Sequence, residues 1–95
     1  MFNSVVKLAK PLSTDDIRAK ILLAKTMQGW RILYNKDYGN QQYGVCFVAD
    51  STKASMSYIH IRILVSGEFK YEEMISNQTQ NSDMLMIALG KEIEA

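Results

Sequence analysis

Tyr58-Ile59-His60-Ile61-Arg62-Ile63-Leu64-Val65 decides the fold of this chain. Every second residue is a branched aliphatic (Ile59, Ile61, Ile63, Val65), and between them stand Tyr58, His60, Arg62 and Leu64. A period of two sends successive side chains to opposite sides of an extended backbone. The stretch therefore reads as a strand over residues 58–65, with an aliphatic side for the core. Its other side mixes an aromatic ring, an imidazole and a guanidinium.

Two earlier stretches share this period. Tyr43, Val45 and Phe47 alternate with Gly44, Cys46 and Val48, and Trp30, Ile32 and Tyr34 alternate with Arg31, Leu33 and Asn35. Turn residues separate them, Asp37 through Asn40 in one gap and Asp50 through Lys53 in the other. Consecutive strands joined by short turns pair antiparallel. Neighbours must then place their apolar residues on one side, because a slip of one residue would expose the isoleucines. With Asp50 set across from Met56, Phe47 faces Ile59, Val45 faces Ile61 and Tyr43 faces Ile63. The same parity puts Trp30, Ile32 and Tyr34 on the isoleucine side. Arg31, Leu33, Asn35, Gly44, Cys46, Val48, Tyr58, His60, Arg62 and Leu64 collect on the opposite face.

Helices flank the strands. Ser13 is placed to cap a helix over residues 14–28, with Asp16 three residues on and Leu12 and Ile17 at the positions of a hydrophobic staple. Asp15 and Asp16 suit its positive end. Ile17, Ile21 and Ala24 recur at helical spacing, widened by Leu22, Leu23 and Met27, and Gly29 supplies the stop. A last helix is expected from a cap at Asn81 or Ser82, with Leu85, Met86, Leu89 and Ile93 on its apolar face and Met84 and Ile87 widening it. Gly90 weakens that helix by roughly 1 kcal/mol relative to alanine, which suggests close packing on the sheet. Glu92 and Glu94 oppose the dipole at its C-terminal end, so fraying is expected there. Residues 68–76 fit a strand through Phe69 and Tyr71, or a short helix through Tyr71, Met74 and Ile75; a short helix or turn is the preferred reading. Val5, Val6 and Leu8 fit an edge strand or an arm within residues 1–12, ended by Pro11.

The expected architecture is one α+β domain over residues 1–95, of two layers. A three-stranded or four-stranded antiparallel meander carries its helices on one face, in the order α-β-β-β-(α)-α. A chain of 95 residues with 47% hydrophobic and 22% charged residues supports a single modest core.

Composition narrows the chemistry. Cys46 is the only cysteine, so neither an internal disulfide nor a multi-thiolate zinc site is available. Lys7, Lys10 and Pro11 interrupt any leader-like apolar run, and no stretch reaches the roughly 20 apolar residues that span a bilayer. A cytoplasmic protein without membrane contact is expected. Charge is uneven: residues 1–36 hold seven basic residues against two acidic ones, and residues 37–95 hold four against eight. Mutual neutralisation, within the fold or across a dimer, explains this better than a polyanion-binding half, since nucleic-acid domains usually keep a net basic charge.

Three uses of the second sheet face can be weighed. Leu33, Val48, Tyr58 and Leu64 are too many apolar groups for a solvated surface, and Tyr and Arg are the residues that anchor protein interfaces. Protein binding through Arg31, Leu33, Val48, Tyr58, His60, Arg62 and Leu64 is therefore the leading expectation. The chain would be a non-enzymatic regulator or inhibitor of a larger protein, of the kind carried by phages or mobile elements, and a homodimer. The alternative is a nucleic-acid-binding module using Arg18, Lys20, Lys25, Arg31, Tyr58 and Arg62, an aromatic and basic set of the sort that stacks unpaired bases. The element order resembles that of double-stranded RNA-binding domains. Their last helix starts Lys-rich, whereas Ser82-Asp83-Met84-Leu85 here is acidic and apolar. The third reading pairs Cys46 with His60, cross-strand neighbours about 5 Å apart at Cβ, as a thiol enzyme. Mid-strand positions lack the oxyanion donors of loops and helix ends, so no catalytic residue is assigned. No metal-ligand spacing and no phosphate-binding loop is present, and no cofactor is expected.

Overall fold

A computed structural model describes residues 4–10, 12–49, 58–73 and 79–95. Five strands form one antiparallel sheet: β1 (Ser4–Lys7), β2 (Trp30–Gly39), β3 (Gln42–Ala49), β4 (Tyr58–Ile63) and β5 (Glu68–Glu73). Their order across the sheet is β1-β5-β4-β3-β2. Helices α1 (Thr14–Leu22) and α2 (Thr79–Glu94) complete a two-layer α+β domain, with a short 3₁₀ turn over Lys25–Met27.

The isoleucine strand lies in the middle of the sheet, as its alternation requires. Ile59, Ile61 and Ile63 are fully buried. Their partners on β3 are Phe47, Val45 and Tyr43, the expected pairs and on the side that burial requires. β5 adds Phe69 opposite Ile63 on the same side. Ile17 and Ile21 of α1 and Met86, Leu89 and Ile93 of α2 close over these residues to form one core. Both helices thus cover the isoleucine face.

Several elements depart from the expectation, each for a local reason. Residues 68–73 are a strand, not a helix or turn, because pairing with β4 on one side and β1 on the other holds them extended. The sheet accordingly has five strands, and the N-terminal stretch serves as its edge. β4 stops at Ile63. Leu64 instead receives the Gly67 amide in a turn, with Gly67 at φ +83°, and Val65 is exposed rather than core.

The first helix is shorter than the apolar pattern suggests. The Ser13 side chain accepts from the Asp16 amide as expected of a cap. At Ala24, however, the backbone turns extended and the 3₁₀ turn follows. Ala24 and Met27 still reach the core, while Leu23 is left exposed. Gly29, at φ +85°, then leads into β2.

The last helix begins at Thr79, so Asn81 and Ser82 lie within it. Met84 and Ile87 are exposed and do not widen its buried face. Gly90 packs against β1 so closely that a Cβ there would come 2.8 Å from Val6 Cγ1. The C-terminal end is tied down rather than frayed. Glu92 accepts from the Lys25 amide (2.7 Å), the Thr26 amide (2.8 Å) and the Thr26 hydroxyl (2.6 Å). Glu94 accepts from the Ala9 amide. Glu92, which would oppose its own helix dipole, caps the start of the 3₁₀ turn instead. The expected turn at residues 50–53, the Asp50–Met56 pairing, Pro11 and residues 74–76 lie outside the described residues.

Candidate protein-binding face

The face turned away from the helices is built on β3 and β4. Tyr58, His60 and Arg62 stand on β4, opposite Val48, Cys46 and Gly44 of β3. On the other flank Arg62 pairs with Lys70 and His60 with Glu72 of β5. The expected cross-strand neighbours on β3 and β4 are therefore the observed ones, whereas those on β5 were not foreseen.

β2 does not keep the expected parity. Ile32 pairs with Phe47, yet Tyr34 pairs with Cys46, so Leu33 is an extra residue in a β-bulge. The bulge reverses the sides. Tyr34 and Lys36 join the polar face, whereas Asn35 turns to the other side. A second irregularity between Asp37 and Gly39 leaves Tyr38 without a partner in the ladder.

Tyr38 fills the space above Gly44. A Cβ on Gly44 would come 2.5 Å from Tyr38 Cε2 and 3.0 Å from His60 Nε2. Glycine in mid-strand is the residue that permits so close an approach. The Tyr38 hydroxyl lies 3.3 Å from His60 Nε2. Arg62 stacks on the same ring, its Cζ 4.1 Å from the centroid, and Lys36 Nζ lies 5.1 Å from it. Arg62 also donates to Gln42 Oε1 at 3.0 Å, and its Nε is buried with no hydrogen-bond partner. The Tyr34 ring meets His60 at 5.8 Å between centroids, tilted 58°. One cluster thus joins Tyr34 and Tyr38 of β2 to His60 and Arg62 of β4, over β3.

Cys46 lies beneath the cluster and is 1% exposed. Burial pushes its thiol pKa up, and a hydrogen bond from Tyr34 pulls in the opposite direction. An activated nucleophile requires a depressed thiol pKa. Cys46 and His60 are direct cross-strand partners, but the imidazole Nε2 is turned to the Tyr38 hydroxyl. Among the described residues no group of three His, Cys, Asp or Glu could hold a metal ion. No helix there is long and apolar enough to cross a membrane.

Of the other sequence-predicted residues, Arg31 and Val48 stand in one cross-strand row with Tyr58, while Leu33 and Leu64 lie outside it. Arg31 and Leu33 are exposed on β2, Val48 is buried on β3, and Leu64 is half-buried in the turn after β4. Arg18, Lys20 and Lys25 of the alternative set are on α1 and the 3₁₀ turn, across the sheet from Tyr58 and Arg62. Arg18 is occupied there. Its Cζ lies 4.0 Å from the Tyr43 ring centroid and its Nη2 is 4.0 Å from Asp15. The Tyr43 hydroxyl donates to Asp15, the main cause of its raised pKa. Sequence reasoning missed Tyr34, Lys36, Tyr38 and Gln42 as members of the face. Gly44 was the available signal, since a glycine inside a strand marks close approach of another group.

Comparison with family models, with curated proteins and with solved structures finds no match to this chain.

Proposed function

We propose that this chain is a non-enzymatic protein-binding domain, a regulator or inhibitor of a larger protein, working through the sheet face that the helices leave uncovered. The cluster of Tyr38, His60 and Arg62 over Gly44 carries the reading. Its rings are engaged by one another and by cations, at 4.1 Å for Arg62 on Tyr38. A base-stacking platform needs open π-faces, and the basic residues of α1 stand on the other side of the sheet. A preassembled aromatic–arginine centre is instead the anchor type of protein interfaces, where ordered side chains reduce the entropic cost of binding. The lone, buried thiol suits work in a reducing cytoplasm.

Self-association face to face is a second form of this reading, favoured by Leu33 and Tyr34, which are 50% and 39% exposed beside the cluster. Capture of partners by the wild type and by Arg62→Glu, with sedimentation equilibrium of both, is the test. Partners lost by the variant support the reading, and a dimer lost by it supports the second form. Identical capture by both proteins, with both monomeric, would refute it.

A further inference from the structure

β2 is the last strand of the sheet, and at ten residues it is the longest. Arg31 through Asp37 are exposed without interruption. In a strand covered on one face, alternate residues would be buried; here even Ile32, on the core side, is 45% exposed. The helical layer stops short of this strand. Ile32, Leu33 and Tyr34 make three consecutive exposed apolar residues on it. An unpaired edge with an apolar segment is a template for strand addition, and the Leu33 bulge with the flanking Arg31 and Lys36 restricts which strand can join it.

Charge and register identify the occupant. Two copies of β2 joined antiparallel must oppose residues of the same face. Because Leu33 is bulged, a single register overlaps two copies fully from Trp30 to Asp37 with both faces in step. It sets Arg31 against Lys36 of the second copy, twice, and like charges directly opposite are destabilising. Full overlap of two copies is therefore disfavoured. For a regular incoming strand the same two residues pose a different demand. Arg31 and Lys36 stand opposite Val48 and Gly44 on β3, four positions apart.

We propose that the outer edge of β2 takes up an extended segment of a protein partner that carries two acidic residues four apart among alternating aliphatic residues. The acidic side chains meet Arg31 and Lys36, and the aliphatic ones extend the apolar side at Ile32. This rests on the reading of the chain as a protein-binding domain and names the chemistry of its partner.

The probes are the peptides Val-Glu-Val-Thr-Val-Glu-Val and Val-Lys-Val-Thr-Val-Lys-Val. Binding is read by Trp30 fluorescence and by amide hydrogen exchange along residues 30–39. The acidic peptide is expected to bind about tenfold more tightly than the basic one at low salt and to slow exchange on β2. The double variant Arg31→Glu, Lys36→Glu, confined to exposed side chains, is expected to reverse that preference. Equal binding of the two peptides, or protection elsewhere than β2, would overturn the proposal. So would β2 protection that grows with protein concentration in the absence of peptide, which would make a second copy the occupant. Arg62→Glu separates the two readings: it leaves β2 protection by the acidic peptide intact even where it abolishes capture by the sheet face.

Discussion

The α-carbon of Gly44 lies under the ring of Tyr38, with room between them for a hydrogen but not for a methyl group. That relationship organises the face turned away from the helices, because the same ring carries Arg62 and meets His60. Gly44→Ala is expected to lift Tyr38 off the sheet and to destabilise the protein by about 1–2 kcal/mol, overpacking being offset in part by the better strand propensity of alanine. Urea denaturation measures this. In a Tyr38→Ala background the same substitution is expected to cost nothing or to stabilise. Additive costs in the double-mutant cycle would show that Tyr38 does not occupy that space.

Cys46 is the direct cross-strand partner of His60 but is sealed under the cluster. Its thiol is expected to react with a maleimide or a disulfide reagent on the order of a hundredfold more slowly than in the urea-unfolded chain. Tyr34→Ala and Tyr38→Ala are expected to raise the rate. Wild-type reactivity equal to that of a free thiol, accompanied by a lowered thiol pKa, would revive the Cys46–His60 enzyme.

The core was legible in the sequence, and part of the face was not, for one physical reason. Burying Ile59, Ile61 and Ile63 requires Phe47, Val45 and Tyr43 on the same side, so alternation determined the faces of β3 and β4; the exact pairing came from the assumed turn and is the one observed. Alternation along Trp30–Asn35 was as regular, yet the chain inserts Leu33 as a bulge and turns Tyr34 outward. Nothing in a period-two pattern reports an extra residue. Helical periodicity over residues 14–28 likewise ran through Ala24, where the chain leaves the helix. The turn that follows is capped from sixty-odd residues away by the Glu92 carboxylate, which accepts from the Lys25 and Thr26 amides. Long-range capping leaves no local trace. Strand β5 was ambiguous for the converse reason, since Tyr71 fits either period and pairing with β1 and β4 decides it.

Glu92 ties the end of α2 to the start of the 3₁₀ turn, and its hydrogen bonds from Thr26 and Lys25 hold its carboxyl below the ordinary value of 4.5. A group whose folded pKa is depressed stabilises the fold above its unfolded pKa and stops doing so as pH falls through the folded value. The melting temperature is therefore expected to drop on acidification through and below the ordinary glutamate range. Glu92→Gln is expected to melt lower than the wild type at pH 7, with the two curves converging in acid. Parallel curves at all pH values would show that the carboxylate charge has no part in the cap.

Gly90 sits where α2 crosses β1, and a Cβ there would lie 2.8 Å from Val6 Cγ1. Two effects oppose each other in Gly90→Ala. Helix propensity favours alanine by about 1 kcal/mol, while forcing a methyl into a packed contact costs about 1–3 kcal/mol. The valine methyl belongs to a short, stiff side chain on a paired strand and has little freedom to withdraw. The clash is expected to win, leaving the variant about 1 kcal/mol less stable. In a Val6→Ala background the contact is gone and propensity alone remains, so Gly90→Ala should stabilise by about 1 kcal/mol. Denaturation midpoints of the four proteins give both values. A stabilising Gly90→Ala in the wild-type background would mean that α2 can move away from β1 at little cost.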